Sequence, residues 1–272
     1  MSGRRAGLAA AGVLLAGAML APYAVMVLTA LKPERELRAS PPRLLPVEWR
    51  PGTFLDVLRD PAFQGWLAVS VVVAVAATLL VILAAVPAAY YTARYRFRGR
   101  TAFLLVVLAT QMFSPTALVV GLYREFFELG LVNTYAALIL TNAAFNLAFA
   151  IWILRAFFAS IPREVEEAAA VDGCGRLATL VRIVLPLARP AVATAAIFAF
   201  IAAWNEYIVA LTIMTDPARK PLTVGITAYV TAYVQHWNAL FAASAIAIVP
   251  VVVLFVLIER HLVSGLTAGS LK

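Results

Sequence analysis

Three observations predict an all-α polytopic membrane protein with six transmembrane helices. The 272 residues are 63% hydrophobic and 13% charged, whereas a soluble domain is roughly 45–50% apolar and about 25% charged. Six apolar runs are each close to or beyond the ~20 residues that cross a bilayer as a helix. The surplus of basic over acidic residues falls on one side of those runs. The short connection Arg94-Tyr95-Arg96-Phe97-Arg98-Gly99-Arg100 carries arginines and no acid, which places it inside the cell by the positive-inside bias. The formal net charge of +8 has no solvated basic domain to carry a phosphate-binding face, so nucleic acid is not expected as a partner. A lone cysteine, Cys174, excludes an intrachain disulfide framework.

Taken in order, Arg4 and Arg5 precede an apolar run over 6–31. It exceeds the ~7–15 residue core of a secretory signal and reads as a first span that starts in the cytoplasm. Residues 33–63, rich in Pro, Arg and acids, form an outer loop with a short helix expected around Phe54 to Leu58. The second span is 65–91, and the arginine connection returns the chain into a third at 101–122. There Gln111-Met112-Phe113-Ser114-Pro115-Thr116 sets a proline and polar side chains at membrane depth. Proline frees a carbonyl and kinks the axis, which is tolerated only against protein or a wet cavity. A short outer connection over 123–132 follows. Asn133-Thr134 can cap the fourth span, 133–154, which holds Asn142 and Asn146. The fifth span, 191–213, contains Trp204-Asn205-Glu206. An outer loop over 215–237 leads to the sixth, 240–262, with Pro250 inside it. The whole of 1–272 reads as one transmembrane domain with both termini cytoplasmic.

Residues 161–190 are neither an apolar span nor a loose polar loop. Pro162 suits an opening helical turn and Glu164, Glu166 and Glu167 suit the positive end of a helix dipole. Ala168, Ala169 and Ala170 are strong helix formers. Asp172-Gly173-Cys174-Gly175 interrupts them, since closely spaced glycines permit a sharp bend and a close backbone approach. A second helix then carries Leu177, Leu180, Val181, Val184 and Leu185 on one apolar face, and Leu185-Pro186 is expected to end it. Read on the residues alone, this is an amphipathic helix pair between two spans.

The same stretch resembles the cytoplasmic coupling loop, or EAA loop, of bacterial ABC importer permeases. The family pattern is matched by Glu167-Ala168-Ala169, by Gly173, and by Ile183-Val184-Leu185-Pro186. Three further stretches resemble the maltose-type second permease of sugar importers: Glu128-Leu129-Gly130-Leu131-Val132-Asn133-Thr134, Trp204-Asn205-Glu206, and Gly265-Leu266-Thr267-Ala268-Gly269-Ser270-Leu271-Lys272. The resemblance implies a bacterial inner-membrane permease subunit of a binding-protein-dependent sugar importer. Its implied partners are a second permease, two ATP-binding cassette subunits that carry ATP and Mg, an extracytoplasmic solute-binding protein, and membrane lipid. It also implies ATPase coupling through Glu167, Ala168, Ala169, Asp172, Gly173, Leu185 and Pro186, with Glu167 as a docking charge.

No GxxxxGK[ST] run exists, and the only lysines are Lys32, Lys220 and Lys272, so this chain cannot hold ATP in a P-loop. No Cys, His or carboxylate spacing suggests a metal, no nucleophile–base pairing suggests catalysis, and no cofactor is expected on this chain. Candidate liners of a translocation path are Gln111, Ser114, Thr116, Asn142, Asn146, Trp204, Asn205 and Glu206. The amides and hydroxyls among them can meet a sugar or bond between helices of the bundle. Glu206 can face a gate or be solvated at the outer boundary. A permease for glycerol-phosphate or another non-sugar polyol is the alternative within importers. A secondary carrier would need a network of ionisable groups in the membrane, where only Glu206 is available.

Overall fold

The structure, a computed structural model, describes residues 2–267 apart from 42, 232 and 234, with side chains described over 7–257. Its helices are α1 (Ser2–Ala30), α2 (Glu34–Leu37), α3 (Gly52–Arg59), α4 (Pro61–Arg94), α5 (Arg100–Thr110), α6 (Pro115–Glu128) and α7 (Tyr135–Ser160). Then come α8 (Arg163–Val171), α9 (Arg176–Thr179), a π-helical turn (Leu180–Val184), α10 (Leu185–Leu187), α11 (Arg189–Trp204), α12 (Ile208–Ile213), α13 (Leu222–Gly225) and α14 (Trp237–Thr267). Among the described residues the only β pairing is an isolated bridge between Val230 and Gln235.

Gly7–Ala30, Pro61–Arg94, Tyr135–Ser160 and Trp237–Leu257 are long and apolar enough to cross a membrane singly. Two bent pairs bring the number to six if each counts as one span: α5 with α6, at 97°, and Arg176–Leu187 with α11, at 81°. The third run is therefore not the single helix expected over 101–122. Pro115 has no N–H to give and begins a new helix at its first turn, while the residue before it, Ser114, is extended as a pre-proline position favours. Helix α6 then continues to Glu128, through much of the expected outer connection. The fifth run is also interrupted, with α11 ending at Trp204 and α12 resuming at Ile208.

The chain falls into two compact units. One comprises Met1–Gly65 and Val224–Pro250. In it, the apolar side chains of α1, Val13, Leu14 and Met19 among them, are exposed. The loop after α1 is tied down by its charged groups. Lys32 Nζ donates to the Arg43 carbonyl at 2.5 Å, and the Glu36 carboxylate accepts from the N–H groups of Val47 at 3.0 Å and Glu48 at 2.9 Å. The short helix expected around Phe54 is α3. The Tyr229 hydroxyl donates to Asp60 Oδ2 at 2.7 Å; burial, and then the neighbouring carboxylate, raise the phenol's pKa and keep it neutral.

The other unit comprises Trp66–Thr223 and Val251–Lys272. Its core joins Val81, Ala85 and Ala89 of α4, Ile151, Leu154 and Phe158 of α7, and Leu180, Val184 and Ala188 around the π turn. Helix α11 lies along α7. Its buried residues Ala191, Ala195, Ala199 and Ala203 recur every fourth position, a row of small side chains that lets two helix backbones come close. As expected, Thr134 caps α7, its hydroxyl accepting from the Ala137 N–H. Of the tail Gly265-Leu266-Thr267-Ala268-Gly269-Ser270-Leu271-Lys272, residues 268–272 lie outside the described residues.

Candidate functional site

The element over 161–190 is built from its own local chemistry. Pro162 stands at the N-cap position of α8 and Glu164 and Glu166 occupy its first turn. The helix closes in a Schellman motif: the Cys174 N–H donates to the Ala169 carbonyl at 2.9 Å and the Gly173 N–H to the Ala170 carbonyl at 3.1 Å. Gly173 has φ +79°, and a Cβ there would meet nothing within 4 Å. The glycine thus answers to the left-handed backbone; among the described residues there is no close approach of the kind expected from the sequence.

The second arm does not stop at Leu185-Pro186. A proline inside a helix removes an N–H and pushes its ring against the carbonyl four residues back. The π turn at Leu180–Val184 widens the helix just before it, with the Leu185 N–H donating to Leu180 O, and the helix runs on through α10 to Leu187. The apolar stripe also divides. Leu180 and Val184, four apart, form one buried row, whereas Leu177 and Val181, the neighbouring row, are 74% and 52% exposed.

Of the residues assigned to coupling from the sequence, Glu167, Ala168, Asp172, Gly173 and Pro186 are exposed, Leu185 is half-buried and Ala169 is buried. Together with Val171, Leu177 and Val181, 88%, 74% and 52% exposed, they make a knob whose outer surface mixes apolar side chains with charged ones, Glu167, Asp172 and Arg176 among them. Its inner side meets the end of α4. Arg94 Nε lies 2.5 Å from Glu166 Oε1, the Arg94 guanidinium donates to the Ile161 carbonyl at 2.9 Å, and the Tyr90 hydroxyl donates to Glu166 Oε2 at 2.9 Å. A cleft of about 310 Å³ opens beside them, lined by Tyr90, Arg94, Arg163, Glu166, Glu167 and Cys174 among others. Sequence reasoning singled out Glu167 and passed over Glu166, Arg94 and Tyr90. No local signal pairs Arg94 with a carboxylate so far along the chain.

The path candidates separate into groups. Gln111, Ser114 and Thr116, at the break between α5 and α6, and Asn205, at the end of α11, are exposed. Asn142 and Trp204 are buried, and Asn146 and Glu206 half-buried. The asparagine amides on α7 bond back along their own helix, Asn142 to Leu138 O at 2.9 Å and Asn146 to Asn142 O at 2.8 Å. Asn142 and Glu206 come together, with Ser70, around a small cavity of about 10 Å³, about the space of one water. Glu206 also has a structural task. Its carboxylate accepts from the N–H groups of Val209 at 2.7 Å and Ala210 at 2.9 Å, the orphan donors at the start of α12.

Asn133 is a further residue whose role was not visible in sequence. It adopts φ +61°, and its Oδ1 accepts from Thr215 and Asp216 N–H groups at 2.7 and 2.9 Å. Its Nδ2 donates to Thr215 Oγ1 at 2.7 Å, and the Arg219 guanidinium donates to its carbonyl at 2.9 Å. The connection ahead of α7 is thereby fastened to the segment after α12.

A family model described as the binding-protein-dependent transport system inner membrane component matches residues 82–268, which include the whole knob and both broken runs. The chain belongs to this family. Such permease components are multi-pass inner-membrane transport subunits, and among this permease's relatives is the sulfoquinovosyl glycerol transport system permease protein SmoH of Agrobacterium fabrum. The two are 37% identical over all of this chain and 95% of that one. The trehalose/maltose transport system permease protein MalG of Thermococcus litoralis is 35% identical over 96% of this chain and 94% of its own. A crystal structure of a bacterial ABC transporter that imports the acidic polysaccharide alginate superposes with a TM-score of 0.82 at 25% identity, covering 96% of this permease and 97% of that chain.

Proposed function

We propose that this permease forms half of the translocation path of an ATP-driven, binding-protein-dependent sugar importer. It would pair with a second permease, take its driving force from two ATP-binding cassette subunits and receive solute from an extracytoplasmic binding protein. On this reading both termini and the arginine connection are cytoplasmic, 1–272 acts as one transmembrane domain, and ATP and Mg sit on the partner subunits. The observation that carries the reading is the knob over 163–187: a rigid pair of short helices, buried on its core side through Ala169, Leu180 and Val184, with Glu167, Val171 and Leu177 facing out. Such a surface can seat in a cleft of an ATPase subunit and pass its movement on. The carbohydrate names of relatives that align over nearly the full length support a sugar as cargo.

The path would run past the break at 111–114, where a span that turns through 97° leaves backbone groups that only protein or water can satisfy. Gln111, Ser114, Thr116 and Asn205 are its most accessible polar groups, and Asn142, Asn146, Trp204 and Glu206 stand behind them. The test is reconstitution of the permease with its ATPase subunits, second permease and binding protein. Proteoliposomes should take up at least one of maltose, trehalose or diacetylchitobiose only when ATP is supplied. Uptake of glycerol-phosphate with no sugar would reassign the cargo to the polyol class. Uptake driven by an ion gradient without ATP would defeat the proposal.

A further inference from the structure

We propose that Tyr90, Arg94 and Glu166 form the joint that delivers movement of the coupling knob to α4; the inference rests on the docking role proposed for that knob. Covalently, α8 continues from α7 through residues 161–162, and α10 leads into α11 at Ala188. Helix α4 has no such connection, and reaches the knob through side chains alone. The contact is made at the ends of three elements. Arg94 closes the last turn of α4, Glu166 lies in the first turn of α8, and the Ile161 carbonyl that Arg94 also holds is where α7 gives way to α8.

The chemistry of the contact suits a stiff link. The Arg94 and Glu166 side chains are only 6% and 17% exposed, so the pair is weakly screened by water and salt. Glu166 Oε2 accepts from the Tyr90 hydroxyl at 2.9 Å, while Oε1 is held by charge, in an ion pair 2.5 Å from Arg94 Nε whose geometry is not that of a hydrogen bond. Separating the groups would leave a buried charge without its partner, so the easier motion keeps them together and carries α4 along. Tyr90 is held in turn, its ring standing edge-on to Phe158 of α7 with centroids 5.9 Å apart. The second arm meets α4 differently, through an apolar core that joins Leu180 and Val184 to Val81, Ala85 and Ala89 and through the exposed Arg176, whose guanidinium lies 5.1 Å from the centre of the Tyr95 ring. The first arm adds the charged, directional contact to that packing.

The test uses the assembled transporter in proteoliposomes, with Cys174→Ser and a reporter cysteine at Ser114. Reactivity toward a small cationic thiol reagent is measured with and without ATP, Mg and vanadate. In the parent, nucleotide trapping should change the labelling rate. Glu166→Gln and Arg94→Gln should each reduce that change at least fivefold per assembled complex, with basal ATP hydrolysis within twofold of the parent. The double variant should be no worse than either single one, since the groups act as a unit. Tyr90→Phe, which removes one oxygen, should cause a smaller, two- to threefold loss. Variants that respond to nucleotide like the parent, or that merely yield less complex with an unchanged response per complex, would reduce the triad to ordinary packing. A parent that labels identically in every nucleotide state would instead overturn the coupling reading, and the joint with it.

Discussion

Replacing Gly173 should weaken coupling in a graded order set by backbone conformation. The residue has φ +79° with open space where a Cβ would stand, so no clash inside the chain contributes to the cost. What remains is the left-handed conformation, about 1–2 kcal/mol for an ordinary L-residue. It is less for asparagine, which visits that region readily, and more for a β-branched side chain. The Schellman bonds from Cys174 and Gly173 at 2.9 and 3.1 Å hold only if that conformation is kept. A loss of 1–2 kcal/mol changes the ratio of formed to unformed bend by a factor of roughly 5–30. Gly173→Asn should therefore transport nearly as well as the parent, Gly173→Ala several-fold less and Gly173→Val least, with the chain still inserted in the membrane. The assay is ATP-dependent uptake per assembled complex, alongside ATP hydrolysis stimulated by loaded binding protein. Normal uptake by Gly173→Val would refute the argument. Loss in Gly173→Asn as complete as in Gly173→Val would show that a partner surface, and not the backbone, requires the glycine.

In a Cys174→Ser background, cysteines at the exposed positions Arg98 and Ala218 should label from opposite sides, Arg98→Cys from the cytoplasm and Ala218→Cys from outside; labelling of both from one side would break the six-span topology. Ser114→Cys and Asn205→Cys should react with a small polar reagent while Asn142→Cys, at 4% exposure, stays protected, and protection of all of them in a transport-competent complex would remove the break at 111–114 from the path. Glu206→Ala should lower the thermal midpoint of the purified complex by removing two hydrogen bonds at the start of α12, an effect of about 1 kcal/mol by analogy with lost helix caps; an unchanged midpoint with abolished uptake would make Glu206 a path residue first. Asn133→Ala should destabilise by about 1 kcal/mol, since the exposed Thr215 and half-buried Asp216 N–H groups exchange their acceptor for water, and Asn133→Asp, which keeps Oδ1, should recover most of it.

The apolar runs, the arginine connection and the punctuation of 161–190 were legible because they rest on local rules. A bilayer demands long apolar stretches, the first turn of a helix favours acids, and a left-handed turn favours glycine, each readable within a few residues. Thr134 as a cap and α3 in the loop after α1 followed from the same logic. The break at Pro115 was visible as a proline at depth, but its 97° turn was not, because the angle depends on what the two halves rest against. Pro186 misled for a similar reason. Its local effect is to stop a helix, yet the wider π turn before it absorbs the missing hydrogen bond, and burial of Leu180 and Val184 against α4 and α7 holds the arm together. Periodicity placed Leu177 and Val181 on the same apolar face as Leu180 and Val184, but only packing decides which row the core covers. Glu166 and Glu167 are neighbours in sequence and chemically alike; the tertiary structure turns one inward to Arg94 and Tyr90 and leaves the other exposed. That difference arises from the 100° between successive residues on a helix and from where α4 ends, and the second of these is set by contacts between residues 94 and 166 that no local pattern records.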